Sequence, residues 1–316
     1  MIRAGVVGVG AMGQHHARVF HELSESSDVK LVGVADTDIE QAKKIASKYD
    51  ALAFEDYHEL ANQDLDVVSI VVPTSLHKTV ATEFIGKGVN ILVEKPIADT
   101  LEDAEYLMKE AKNNDVKLMV GHIERFNPAV LKLKECIEQG ELGEIISISA
   151  KRVGPMAIRI RDVGIIVDLG VHDIDVISFL IGKSVRTVKA RAGNVKHPSD
   201  CEDYAILMLD YDDTKTGIVE TNWLTAHKTR TLTVVGTKGV AYMDYINQSL
   251  RICNENWEKD YDIENKEPLK TEIEHFIDCT LNDMKPMVSA DDGIHVLRVA
   301  LKALESAEIN RTLPVV

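Results

Sequence analysis

The chain has 316 residues, of which 45% are hydrophobic and 28% charged, and its formal net charge is −15. This is the length of two domains with separate cores and the composition of a globular protein. The acidic balance argues against nucleic acid or an anionic membrane surface as a partner, and no apolar run reaches the ~18 residues of a membrane span.

The N-terminus enters a strand at once, with no charged-then-apolar leader, so the expected location is the cytoplasm. An apolar run, Ala4 to Val7, leads into Gly8-Val9-Gly10-Ala11-Met12-Gly13, and a helical pattern follows through Ala17, Val19, Phe20 and Leu23. Strand, glycine turn and helix with this spacing make a dinucleotide site. Gly8 permits the tight turn, Gly10 lets a pyrophosphate approach the backbone, and Gly13 lets helix and strand pack closely. Ala11 and Met12 lead into the helix N-terminus, where the dipole favours phosphate. A second strand, Lys30 to Ala35, ends in Asp36, at the spacing where a carboxylate binds ribose hydroxyls. That carboxylate accepts from a free 2′-hydroxyl and repels a 2′-phosphate, which predicts NAD as the cofactor rather than NADP.

Alternation continues with a helix from Ile39 to Tyr49, a link through Ala53 and Phe54, and a helical stretch from Tyr57 to Asn62. The run Asp66 to Val72 suits a strand buried on both faces of a parallel sheet. Pro73-Thr74 stops it, and a helix from His77 to Lys87 ends at Gly88. The strand Asn90 to Val93 delivers Glu94-Lys95-Pro96. Thr100 caps a helix from Leu101 to Asn113, and the strand Lys117 to Val120 closes the pattern. This is an α/β doubly wound parallel sheet with ligands at the carboxyl ends of its strands. Pro73, Thr74, His77, Glu94 and Lys95 join Gly8, Gly10, Ala11, Met12, Gly13 and Asp36 as candidate cofactor contacts.

The texture changes after Gly121. A helix, Ala129 to Glu138, is followed by a strand, Glu144 to Val153, a basic stretch and a helix, Val167 to Ile181. Strands follow in series: Arg186 to Asn194, Asp203 to Asp210, Thr216 to Thr225, and Thr231 to Val235, the last turning through Gly236–Gly239 into Val240 to Tyr245. Strands without intervening helices argue a large open, mainly antiparallel sheet in an α+β domain. Helices Leu269 to Asn282 and Ala290 to Ile309 end the chain. The expected division is a dinucleotide-binding domain, 1–122, and a substrate-binding and oligomerisation domain, 123–316, whose C-terminal helix is a candidate to pack back on the first. A sheet covered on one face predicts a homo-oligomer, a homodimer or homotetramer.

Three stretches carry chemistry. Glu94-Lys95-Pro96 ends a parallel strand beside the cofactor crevice, although a single lysine there also suits a solvated surface. Asp168 and His172 share one helix face; with no third ligand nearby, no metal is expected. His122 to Pro128 carries His122, Arg125 and Asn127, either in a site or in an interdomain turn. The cysteines Cys136, Cys201, Cys253 and Cys279 lack paired spacing and read as reduced thiols.

Taken together, the glycine turn with His16, Glu94-Lys95-Pro96, and Asp168 through His172 resemble the Gfo/Idh/MocA family of nicotinamide-dependent sugar oxidoreductases over essentially the whole chain. The resemblance implies a Rossmann domain, a second domain whose open sheet makes oligomer contacts, and hydride transfer from a sugar or cyclitol carbon to nicotinamide C4. It maps the family's catalytic lysine to Lys95, its carboxylate to Asp168 and its histidine to His172. Many members carry a run of glycines ahead of that helix; this chain has Arg161 to Val167 instead. In chemical terms His172 is a base of suitable pKa, Lys95 a donor to the reacting oxygen, and Asp168 a group that orients the lysine or a substrate hydroxyl; Lys95 and His172 can exchange roles as proton acceptor.

The basic stretch Lys151 to Arg161 offers Arg152, Arg159 and Arg161 to a diphosphate. With Val120–Val130 and Asp162–Val176, it resembles the branch of that family that oxidises UDP-N-acetylglucosamine at its 3-hydroxyl. The expected substrate is therefore a UDP-sugar. An inositol or free-aldose dehydrogenase, and a non-catalytic nicotinamide-binding sensor, are the alternatives.

Overall fold

The computed structural model describes residues 1–25, 28–156, 163–196, 201–212 and 214–316, and these fall into two compact units. The first comprises Met1–His122 and Leu269–Ile294, the second Ile123–Pro268 and His295–Val316.

In the first unit β1 (Ile2–Val7), α1 (Gly13–Ser24), β2 (Val29–Ala35), α2 (Ile39–Lys48), β3 (Leu52–Phe54), α3 (Tyr57–Ala61), β4 (Val67–Ile70), α4 (His77–Ile85), β5 (Asn90–Glu94), α5 (Leu101–Asn113) and β6 (Leu118–Gly121) alternate along the chain. The strands make one parallel sheet in the order β3-β2-β1-β4-β5-β6. Every residue of β4 is buried, which is why its sequence is a continuous run rather than an alternation. Side chains start three of the helices: Asp38 accepts from the Glu40 and Gln41 N–H groups, Asp56 from that of His58, and Thr100 from that of Asp103. Residues 52–54, read as a link in the sequence, pair with Gly33–Ala35 as an edge strand.

The second unit contains α6 (Pro128–Glu138), β7 (Ile145–Pro155), a π-helical turn Ile166–Gly170 running into α7 (Val171–Ile181), β8 (Thr187–Gly193), β9 (Tyr204–Asp210), β10 (Thr216–Asn222), β11 (Leu224–Gly236), β12 (Val240–Asp244), β13 (Ser249–Cys253) and β14 (Glu258–Tyr261). After α8 (Pro268–Leu281), the helix α9 (Ala290–Ile309) and β15 (Leu313–Pro314) end the chain. The sheet order is β14-β13-β12-β11-β7-β10-β9-β8-β15, with β7 and β10 parallel and the other neighbours antiparallel. Leu133 of α6, Ile174 and Ile177 of α7, and Ala300 of α9 share a core with Ile148, Ala150, Leu207 and Val234 of the sheet. The other face leaves Ile206 54%, Met208 43%, Ile218 40% and Tyr242 51% exposed.

The strip Leu269–Ile294 groups with the first unit, a departure from a division into 1–122 and 123–316. The physical reason is the edge of the parallel sheet. On β6 the Val120 N–H donates to the Val288 carbonyl at 3.2 Å and Met119 forms an antiparallel bridge with Ser289, while Lys117, just before the strand, donates to Asp283. The strip thus covers an edge strand that would otherwise present unpaired backbone groups. Among the described residues no helix is long and apolar enough to cross a membrane.

Candidate active site

The glycine turn in the first unit divides its labour. Gly8 has φ +83°, and a Cβ there would lie 2.6 Å from the Val71 carbonyl oxygen; at Gly13 it would lie 1.8 Å from the Gly8 carbonyl oxygen. The fold itself demands these two. A Cβ at Gly10 would meet nothing within 4 Å, so this glycine faces open space. A cavity of about 360 Å³ opens here at the carboxyl ends of β1, β2 and β4, lined among others by Gly8, Gly10, Asp36, Glu55, Tyr57 and Pro73. It lies where the strand order reverses, the usual ligand crevice of such sheets. The Asp36 carboxylate is fixed at this cavity by the N–H groups of Val9 at 2.8 Å and Asp38 at 3.0 Å. Glu55 adds a second carboxylate that sequence reasoning missed. It follows the edge strand β3, and without that strand nothing brings residue 55 to the crevice. The residues fit a dinucleotide: backbone at Gly10 for the pyrophosphate, Asp36 for the ribose.

Glu94 and Lys95 end β5 in the same row of strand ends. One Glu94 oxygen lies 3.3 Å from His16 Nε2, and the other accepts from the Lys95 N–H at 3.1 Å. Burial pushes the Glu94 carboxyl up, but the His16 hydrogen bond and the charges of His16 and Lys95 outweigh it and hold the group below the usual carboxylate range. Glu94 is therefore an anion tied to α1, and Lys95 stands half-buried beside it. His77, a candidate cofactor contact in the sequence, is engaged with backbone. It is 1% exposed and lies outside the cavity lining, with Nδ1 2.9 Å from the Pro96 carbonyl and Nε2 3.0 Å from that of Val72. Burial pushes its pKa down, so the ring is neutral and donates through one nitrogen at a time. Its imidazole tethers the backbone that follows β4 and β5. Thr74 opens a short 3-10 turn and likewise does not line the cavity.

In the second unit Asp168 rides on the π-turn and His172 on the first turn of α7, both half-buried. Glu202, which the sequence did not flag, sets the start of this segment. Its carbonyl accepts from the Ile165 N–H and its carboxylate from the Ile166 N–H, each at 3.0 Å. A Cβ on Gly164 would lie 2.0 Å from the same carboxylate, so a larger residue there would push the Glu202 side chain out of this position. Among the described residues no cluster of His, Cys, Asp and Glu suits a metal ion.

The basic residues proposed for substrate are where structure and expectation part. Arg152 is 1% exposed. It donates through Nε and Nη2 to Asp173 at 2.8 and 3.1 Å and through Nη1 to Glu124 at 2.7 Å, and it stacks on the Tyr245 ring at 4.9 Å. Burial pushes the Asp173 carboxyl up, and Arg152 opposes that shift. Arg125 is 4% exposed and grips Asp175 through Nε and Nη2 at 2.6 to 3.0 Å. Asn127 caps α6 through the Ala129 N–H and donates to the Tyr245 carbonyl. All three are consumed internally. His122, in the first unit, is 2% exposed. Arg159 and Arg161 lie outside the described residues.

A parallel Rossmann sheet with a dinucleotide crevice, joined in one chain to an α+β unit, defines a nicotinamide-type oxidoreductase architecture. The profile of the oxidoreductase family with an NAD-binding Rossmann fold, Gfo/Idh/MocA, matches residues 2–122, and that of the Gfo/Idh/MocA C-terminal domain matches residues 130–242. The chain belongs to the Gfo/Idh/MocA family, and its cofactor is NAD. It is 28% identical over 317 residues to UDP-N-acetylglucosamine 3-dehydrogenase of Acidithiobacillus ferrooxidans, covering 97% of each chain. A solved structure of that enzyme superposes with a TM-score of 0.90 over 98% of each chain. The chain is also 27% identical over 323 residues to scyllo-inositol 2-dehydrogenase (NAD(+)) of Bacillus subtilis, covering 96% of this chain and 94% of that one.

Two outcomes follow from these environments. Arg152→Gln strands Asp173 and Glu124 in the interior and should cost roughly 3–5 kcal/mol in chemical denaturation; a cost under about 1 kcal/mol would show that the network is not structural. Asp36→Ser should shift the ratio of NAD to NADP affinity toward NADP by roughly 10-fold or more, read by equilibrium binding.

Proposed function

We propose that the protein is an NAD-dependent dehydrogenase that oxidises a secondary hydroxyl of a UDP-sugar, with UDP-N-acetylglucosamine oxidised at its 3-hydroxyl to the 3-keto sugar. The reaction class rests on one observation above all: Lys95 stands at the carboxyl end of β5, in the row of strand ends that holds the glycine turn. The substrate reading draws on the similarity to the Acidithiobacillus ferrooxidans enzyme over nearly the full length of both chains.

Bound NAD supplies the hydride acceptor at nicotinamide C4. The protein's own groups handle the proton and the charge. His172, half-exposed at the start of α7, takes the hydroxyl proton as the C–H bond breaks. The Lys95 ammonium donates to the reacting oxygen and stabilises its alkoxide character. Asp168 accepts from a neighbouring substrate hydroxyl and so orients the ring. A second reading, an uncharged cyclitol as substrate, is favoured by the internal pairing of Arg125 and Arg152 and by the similarity to the inositol enzyme.

His172→Ala should lower kcat by ~10²–10⁴ while leaving the NAD dissociation constant within a few-fold of wild type. The assay is reduced-nicotinamide formation from UDP-N-acetylglucosamine, myo-inositol and glucose. Undiminished turnover in the variant would remove His172 from the mechanism. NAD binding without turnover of any substrate by the wild type would favour a sensor.

The exposed sheet face, with Ile206, Met208, Ile218 and Tyr242, suits a second copy of the chain as its cover. Light scattering should show a wild-type dimer or tetramer that Ile206→Glu with Met208→Lys converts to monomer. A monomeric wild type would end this reading.

A further inference from the structure

We infer that Arg230 is the residue that binds the substrate's diphosphate, a proposal that rests on the sugar-nucleotide reading above. Arg230 lies on β11 directly opposite Arg152 on β7. Directly opposed residues of an antiparallel pair send their side chains to the same face. Arg152 faces inward with Ile148 and Ala150; Arg230 therefore shares the face of Leu232 and Val234, the face covered by helices.

Two opposed arginines repel unless anions sit with them. Glu124 and Asp173 supply the charge, but Arg152 takes the close geometry. Its Nη1 is 2.7 Å from Glu124 Oε1, against 3.6 Å for Arg230 Nη1 to the same oxygen. At 3.6 Å the second contact is an ion pair without a directed hydrogen bond. It is the only ion pair of the Arg230 guanidinium among the described residues. The exposures diverge accordingly: the Arg152 side chain is 2% exposed and that of Arg230 35%. Arg230 is thus held from behind by charge and from the backbone by the Tyr245 N–H on its carbonyl, at 3.0 Å, with its planar donors turned to no other described partner.

Besides Glu124 and Asp173, the charges that act on Arg230 include that of Asp168, the carboxylate assigned to a sugar hydroxyl. A cation with five donors beside a sugar-binding carboxylate suits an anionic substituent on that sugar, and the fork of a guanidinium matches two phosphate oxygens. An uncharged cyclitol has no use for it.

The test measures UDP binding by calorimetry, and kcat and KM with UDP-N-acetylglucosamine, in the NAD-loaded protein. Arg230→Gln should raise the UDP dissociation constant and KM roughly 10- to 100-fold with kcat changed by only a few-fold. Arg230→Lys, the variant least able to disturb folding, should lose part of that affinity because a point charge cannot span two oxygens. Lys151→Gln removes a cation from the opposite face, where Lys151 pairs with Glu220 at 3.0 Å, and should change neither value. Wild-type UDP affinity and KM in Arg230→Gln or Arg230→Lys would overturn the role of Arg230 and leave the substrate reading standing. A wild type that ignores UDP and UDP-sugars but oxidises myo-inositol would overturn both.

Discussion

The second unit depends on a group of ions sealed in its interior. Arg152 with Asp173 and Glu124, and Arg125 with Asp175, join β7, α7 and the turn before α6 through charge-assisted bonds of 2.6 to 3.1 Å. Removing such charges from water costs several kcal/mol per ion, and only close, fully bonded geometry recovers it. The consequence is rotational. Successive helix residues point about 100° apart. When Asp173 and Asp175 are each locked to an arginine, α7 can take one setting about its axis, and His172 is aimed by its neighbours. Glu202 does the same for the preceding π-turn and hence for Asp168.

The first unit reaches a comparable result through its backbone. Its strand ends are aligned by a parallel sheet, and its crevice is shaped by glycines whose missing Cβ atoms leave room for backbone. Two of them accommodate the protein's own carbonyls at 1.8 and 2.6 Å from a hypothetical Cβ, and only Gly10 leaves room for something else. His77 and Glu94 are held in this frame as supports: one tethers backbone carbonyls, the other anchors α1 to the end of β5.

Most of the parallel half was legible in the amino-acid order because burial on both faces writes continuous apolar runs. The helix from Leu101 to Asn113 and its Thr100 cap were readable to the residue. What escaped had physical reasons. A strand of three residues, Leu52–Phe54, is too short to show any period. The middle of β11, His227 to Arg230, is polar and reads as a break between two strands, although the chain runs on as one. Arg152 was read as a diphosphate contact because it stands in a run of basic residues with no acid among them. The alternation of β7 pointed the other way: Ile148, Ala150 and Arg152 fall on one parity and all three are buried. Asp173 and Asp175 carried no signal alone, since a buried carboxylate is recognisable only with its cation.

The strip that closes the β6 edge has a consequence for how the protein is made. The chain crosses between its two units three times, after His122, after Pro268 and after Ile294. A ribosome releases residues 1–122 long before residues 269–294 exist. Through most of synthesis the nascent parallel sheet carries an uncovered edge strand, the kind of surface that pairs with other chains. The first unit is therefore encoded first but completed almost last, and a product terminated within the second unit would keep its dinucleotide crevice while leaving β6 bare.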